Sequence, residues 1–135
     1  IEDKKVIRYT QATEETVADV DVLIIDCFGL LSSIYHYGDV AYVGGGFGVG
    51  IHNVLEAAVW DMPVLFGPNN KHFAEAQGLL RVGGGFEIFD LESFSLLTNQ
   101  FAEDEEYRKT CGALAGDYVE SLAGATNKVL SNVKL

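Results

Sequence analysis

The sequence predicts an α/β fold, a parallel sheet with helices on both faces. Three observations carry that prediction. Short apolar runs alternate with helical patterns along the chain. One run, Val22-Leu23-Ile24-Ile25, is continuously apolar and rich in β-branched residues, the pattern of a strand buried on both faces. Two glycine-rich or turn-rich segments follow predicted strands, and in parallel sheets ligands bind beyond the carboxyl ends of the strands.

The elements follow in order. Val6 to Tyr9 reads as a strand, and Val22 to Ile25 as the next. Leu30 to Tyr37 reads as a helix closed by Gly38 at its C-cap. Val40 to Val43 is a strand, followed by Gly44-Gly45-Gly46-Phe47-Gly48-Val49-Gly50. A helix starts near Asn53 and runs to about Trp60. Pro63 opens the strand Val64-Leu65-Phe66, and Gly67-Pro68-Asn69-Asn70 is a turn by composition. Lys71 to Arg81 is helical. Gly83-Gly84-Gly85 then leads into the strand Phe86 to Phe89. After Asp90 the pattern is helical to the end, with Tyr107, Cys111, Leu114, Tyr118 and Leu122 forming one apolar stripe. The whole is Rossmann-like, and the Gly44 segment and the Gly67 turn are expected on one rim of the sheet, facing one crevice.

Composition narrows the function classes. The chain has 135 residues, which predicts a single domain over 1–135, long enough to bury a core. Its formal net charge is −11, which argues against nucleic acid as a partner, since duplex binding needs a basic face. The acidic run Glu103 to Glu106 reads as a solvated helix start, where carboxylates suit the helix dipole. Cys27 and Cys111 match no metal or redox spacing and read as buried, reduced thiols. No apolar run is long enough to span a bilayer, and no signal peptide is evident. The chain begins at Ile1 without Met, so a piece of a longer protein is expected. No metal site and no cofactor are expected, because His36 and His72 lack Cys or carboxylate partners at ligand spacing.

The strongest local feature is Gly44 to Glu56. Its glycines let backbone approach a ligand closely, and the helix that follows offers free N–H groups suited to phosphate. The spacing is neither a dinucleotide fingerprint nor a P-loop. Asn53 and Glu56 fit two readings, a capping arrangement at the helix start or a pair reaching sugar hydroxyls in the crevice. His52 either donates to a phosphate or closes the turn. Asp26, at a strand end, caps the following helix or meets ligand.

These residues resemble a known family. Ala41-Tyr42-Val43-Gly44-Gly45-Gly46-Phe47, then Gly50-Ile51-His52-Asn53-Val54-Leu55-Glu56-Ala57-Ala58, is similar to the signature of Kdo (3-deoxy-D-manno-octulosonic acid) transferases. Pro63-Val64-Leu65-Phe66-Gly67-Pro68-Asn69, with Phe73 and Glu75 downstream, resembles the same family's next segment, so the match runs over roughly residues 20 to 90. The resemblance implies the C-terminal, donor-binding half of a GT-B fold, truncated at its N-terminal side, with the acceptor domain absent. It implies a glycosyltransferase of lipopolysaccharide synthesis that uses CMP-Kdo as donor and a lipid A precursor as acceptor. The full-length enzyme would work at the cytoplasmic face of the bacterial inner membrane, and this fragment, soluble by itself, would be inactive alone, with no catalytic residue of its own. Carried over by position, Gly44, Gly45, Gly46, His52, Asn53, Glu56, Gly67 and Pro68 would bind or shape the donor site. The family's Asp-x-x-Gly-Glu-Leu segment reads Asp26-Cys27-Phe28-Gly29-Leu30-Leu31, which retains Gly29 for a backbone role and replaces the acidic residue by Leu30. Two rivals remain: a GT-B transferase or epimerase using a UDP-sugar, and a non-catalytic interaction module.

Overall fold

A computed structural model describes residues 2–132. The chain forms two compact units, residues 1–34 and 35–135. Every strand pairing is parallel, as an α/β fold requires, but the strands are divided between a two-stranded and a three-stranded sheet.

The first unit holds β1 (Val6–Arg8), a 3-10 turn (Tyr9–Gln11), α1 (Glu14–Val17), β2 (Val22–Ile24) and α2 (Leu31–Ile34). Val6, Ile7 and Arg8 pair with Val22, Leu23 and Ile24. The helix α1 is a single turn held by a capping box between Thr13 and Thr16, which the sequence reading passed over. Expected burial of β2 on both faces is overturned: Ile24 is 43% exposed, and no residue of the strand is buried. A β-branched run reports strand preference and apolarity, but burial needs covering elements, and the helices of this unit have only four residues each. Cys27 is likewise only part-buried.

The second unit opens with a 3-10 turn (Tyr35–Tyr37) in place of the predicted helix end. Gly38 donates its N–H to Tyr35 O at 2.9 Å without a left-handed φ, whereas Gly83, at φ 87°, is a left-handed C-cap. There follow β3 (Ala41–Val43), α3 (Leu55–Ala58), β4 (Val64–Phe66), α4 (Ala74–Val82), β5 (Gly85–Glu87), α5 (Leu91–Glu103) and α6 (Glu105–Asn132). The sheet order is β3-β4-β5, so β4 is central, and all three of its residues are fully buried.

Alternation along β4 divides the core in two. Val64 and Phe66 face Ala57 and Ala58 of α3, Ala76 and Leu79 of α4, and Ala115 of α6. Leu65 faces the other way, toward Ile88, Phe101 and Cys111. Helices therefore cover both faces of this sheet, as predicted. Burying Phe66 alone contributes about 1.5–3 kcal/mol. Burial also pushes the Cys111 thiol up, which opposes thiolate reactivity.

The predicted helical end is two helices, and its last three residues lie outside the described residues. Asp90 caps α5 through a reciprocal pair with Ser93, and Asp104 interrupts the run by accepting from Tyr107 N–H at 2.9 Å. Glu105 and Glu106 then sit in the first turn of α6, as the acidic run predicted. On α6 the inward positions are Cys111 and Ala115, and Leu114 of the predicted stripe is 38% exposed. Gly112 and Gly116 bring α6 against Asp61: a Cβ at the first would meet the Asp61 carbonyl, and at the second the Asp61 carboxylate.

Candidate donor-binding rim

Because β3 and β4 are adjacent and parallel, the loops after them emerge on the same rim of the sheet, as the topology predicted. The first loop is Gly44 to Asn53. It folds back on itself through three backbone bonds: Gly48 N–H and Gly50 N–H to Gly45 O at 3.0 and 3.1 Å, and His52 N–H to Gly44 O at 3.0 Å. Gly45 has φ 93°, a left-handed conformation that side chains disfavour, and a Cβ there would strike the Gly50 carbonyl.

The second loop, Gly67 to Phe73, lies directly against the first. A Cβ on Gly46 would sit 2.6 Å from Gly67 Cα, so the two backbones meet where no side chain fits. Asn69 crosses between them, donating its N–H to Gly46 O at 2.8 Å and its Nδ2 to Gly48 O at 2.6 Å. Asn70, fully buried, holds the turn from beneath: its Nδ2 donates to Gly67 O at 2.9 Å, and its Oδ1 accepts from Gln77 Nε2 at 2.6 Å. Pro68 is part-buried at the turn. Gly44, Gly45, Gly46, Gly67 and Pro68 thus come together as one wall.

Below this wall a groove of about 330 Å³ is lined by Ile51 to Leu55 and by Phe73, Glu75 and Ala76. His52 and Asn53 are exposed on it, and the His52 ring rests beside the glycine loop, 3.3 Å from where a Gly45 Cβ would be. Both predicted helix starts move. The helix expected from Asn53 is α3, a single turn beginning at Leu55. Asn53 is not its N-cap, and Glu56 does not complete a box: Asn53 Oδ1 instead accepts from Leu55 N–H at 2.9 Å, two residues on. The helix expected from Lys71 begins at Ala74, after Phe73 in extended backbone, and no side chain caps it. The ring of Phe73 fills the space beside Gly50.

Glu56 does not line the groove. It is part-buried near Tyr35, whose hydroxyl is pushed up by burial first and by the Glu56 charge second. Gly29 belongs to the first unit, at φ 87° in the turn between β2 and α2, with nothing within 4 Å of a Cβ built on it. Asp26 turns back to the segment after β1. Its carboxylate accepts from Thr10 N–H at 3.0 Å and Thr10 Oγ1 at 2.6 Å, and these bonds hold it below the usual carboxylate range. Sequence reading missed Asn69 and Asn70 as organisers of the rim, because Pro-Asn-Asn reads as a turn whichever way its amides point. Among the described residues no group of three His, Cys, Asp or Glu could hold a metal ion, and no helix is long and apolar enough to cross a membrane.

The fold matches the crystal structure of the C-terminal CMP-Kdo binding domain of WaaA from Acinetobacter baumannii, with a TM-score of 0.76 at 21% identity over 86% of this chain and 61% of that one. By fold, this is a domain of the C-terminal GT-B class. The sequence is similar to the 3-deoxy-D-manno-octulosonic acid transferases of Aquifex aeolicus (34% identical over 107 residues, 76% of this chain) and Chlamydia pneumoniae (39% over 99 residues, 67% of this chain). Together, sequence and fold support the C-terminal domain of a Kdo transferase, as the motifs implied. The chain spans 30% and 22% of the length of those two relatives. No family model matches it.

Proposed function

We propose that this chain is the donor-binding portion of a glycosyltransferase that moves Kdo from CMP-Kdo to a lipid A precursor in lipopolysaccharide synthesis. The carrying observation is the double wall of Gly44–Gly46 and Gly67–Pro68 above the groove of His52, Asn53 and Glu75. The similarity to Kdo transferases supports the choice of donor.

The leaving group of CMP-Kdo is a phosphate monoester, so the site must stabilise developing negative charge. With a net charge of −11, this chain offers no broad basic surface for that task. The local sources are backbone amides of the glycine loop and the start of α4, a nine-residue helix that no side chain caps and whose first turn lines the groove. His52 and Asn53 supply hydrogen bonds to phosphate or sugar, and Glu75 accepts from sugar hydroxyls. Glu56, set back beside Tyr35 and outside the groove lining, accepts from a donor hydroxyl that extends past the groove. The catalytic base and acceptor site belong to an N-terminal domain beyond this chain, and the full-length protein works at the cytoplasmic face of the inner membrane.

An amide chemical-shift titration with CMP, UDP and AMP tests this reading. CMP-selective shifts at Gly44 to Glu56 and Gly67 to Phe73 are expected. UDP preference at the same amides would move the substrate to a UDP-sugar, and no response to any nucleotide at millimolar concentration would sink the donor-site reading for this chain.

A further inference from the structure

The tip of the glycine loop meets the neighbouring loop through the Phe47 ring, which lies against Gly67, and through one side-chain hydrogen bond. Val49 is fully exposed at 102%, and Phe47 and Gly48 are exposed beside it. The loop's internal bonds end on Gly44 O and Gly45 O, near its base. The bond that reaches the tip from the neighbouring loop is Asn69 Nδ2 to Gly48 O, at 2.6 Å. Asn69 is itself exposed, so no burial demand explains an amide there; water could satisfy it equally well. What the amide does is tie the exposed end of one loop to the turn that buried Asn70 holds through Gly67 O.

We infer that Asn69 is a positioning residue that fixes the glycine loop in its donor-binding shape. This rests on the donor-site reading above. Asn69 acts through the Gly48 carbonyl, aiming its Nδ2 at that oxygen, and so holds in place the loop backbone that carries the amides not already spent on Gly44 O and Gly45 O. Pre-ordering the loop spares the ligand the cost of ordering it on binding.

Three proteins decide the matter: the 135-residue chain, Asn69→Ala and Asn69→Asp. All retain the backbone bond from residue 69 to Gly46 O, so the fold is expected to survive. Asn69→Asp keeps the shape but replaces the donor with an acceptor facing a carbonyl. Hydrogen exchange of the free proteins is expected to accelerate roughly tenfold at residues 46–50 in both variants, with α5 and α6 unchanged. CMP affinity is expected to fall about tenfold in both, with little change in Tm. Exchange at the loop unchanged in both variants would overturn the inference whatever CMP does. So would wild-type behaviour of Asn69→Asp, since shape and not donation would then matter. If the loop loosens yet CMP affinity is unchanged, the bond is structural and the positioning role is lost. If the parent chain binds no CMP while loop exchange accelerates in the variants, the donor reading fails and the tie between the loops stands.

Discussion

The two units of this chain use the same grammar with different results. Each has parallel strands followed by a glycine turn, Gly29 after β2 and Gly45 after β3, both at left-handed φ. In the second unit the turn rises from a strand whose neighbour β4 is fully buried between helices, and it meets a second loop backbone to backbone. In the first unit no described residue is buried, and the turn at Gly29 has open space around it. A glycine turn becomes a shaped site only where a packed core fixes the strands beneath it.

That contrast can be broken by mutation. Phe66→Ala is expected to destabilise the second unit by about 3–5 kcal/mol, measured by denaturant unfolding. Ile24→Ala, on the exposed strand, is expected to cost about 1 kcal/mol or less. Similar losses at the two sites would show that β2 is buried in solution and would erase the distinction. Next in size, Asn70→Ala takes from Gly67 O its side-chain donor and leaves Gln77 Nε2 with its longer 3.4 Å bond to the residue 70 carbonyl, at a cost of about 2 kcal/mol. The associated chemical-shift changes are expected to centre on Gly67 to Phe73 and Gly46. Changes confined to α4 would detach Asn70 from the rim.

The smallest effect sharpens the comparison through pH. Asp26 in the first unit is held below the usual carboxylate range by Thr10, and Asp90 in the second by Ser93. A carboxylate lowered by folding contributes stability above its unfolded pKa and loses it as pH falls through the folded value. Both contacts are therefore expected intact at neutral pH and to melt only in acid, below the usual carboxylate range. Carboxyl titration by NMR checks this, and an ordinary midpoint at Asp26 would remove the Thr10 bonds from solution. Because Asp26 lies where little is packed, its protonation is expected to loosen β1 and β2 locally, whereas Asp90 reports the start of α5.

Much of this was legible in the sequence, and what was not has physical causes. The alternation of strand and helix gave the α/β class, and two loops after adjacent parallel strands had to share a rim. The burial of β2 was misread because apolar side chains announce a preference, and only other elements can satisfy it. Helix starts were misplaced because Asn53 fits a cap by type, yet its carbonyl turns to Leu55 N–H two residues on. Asn69 and Asn70 look alike in sequence, and one is exposed while the other is fully buried. Which amide faces inward depends on the loop lying opposite, 21 positions earlier for the Asn69–Gly48 bond, which no local pattern encodes.

The close seat of α6 on Asp61 has a consequence for how the domain can move. Gly112 and Gly116 are one helical turn apart, and each admits Asp61 only because it lacks a side chain. Sliding the helix by one turn in one direction would bring Glu120 to the place of Gly116, setting carboxylate against carboxylate. Sliding it the other way would bring Arg108 to the place of Gly112, where there is no room for it. The helix is keyed like a notched bolt with a single seat, so any rearrangement that shifts α6 must lift it off the sheet as a whole.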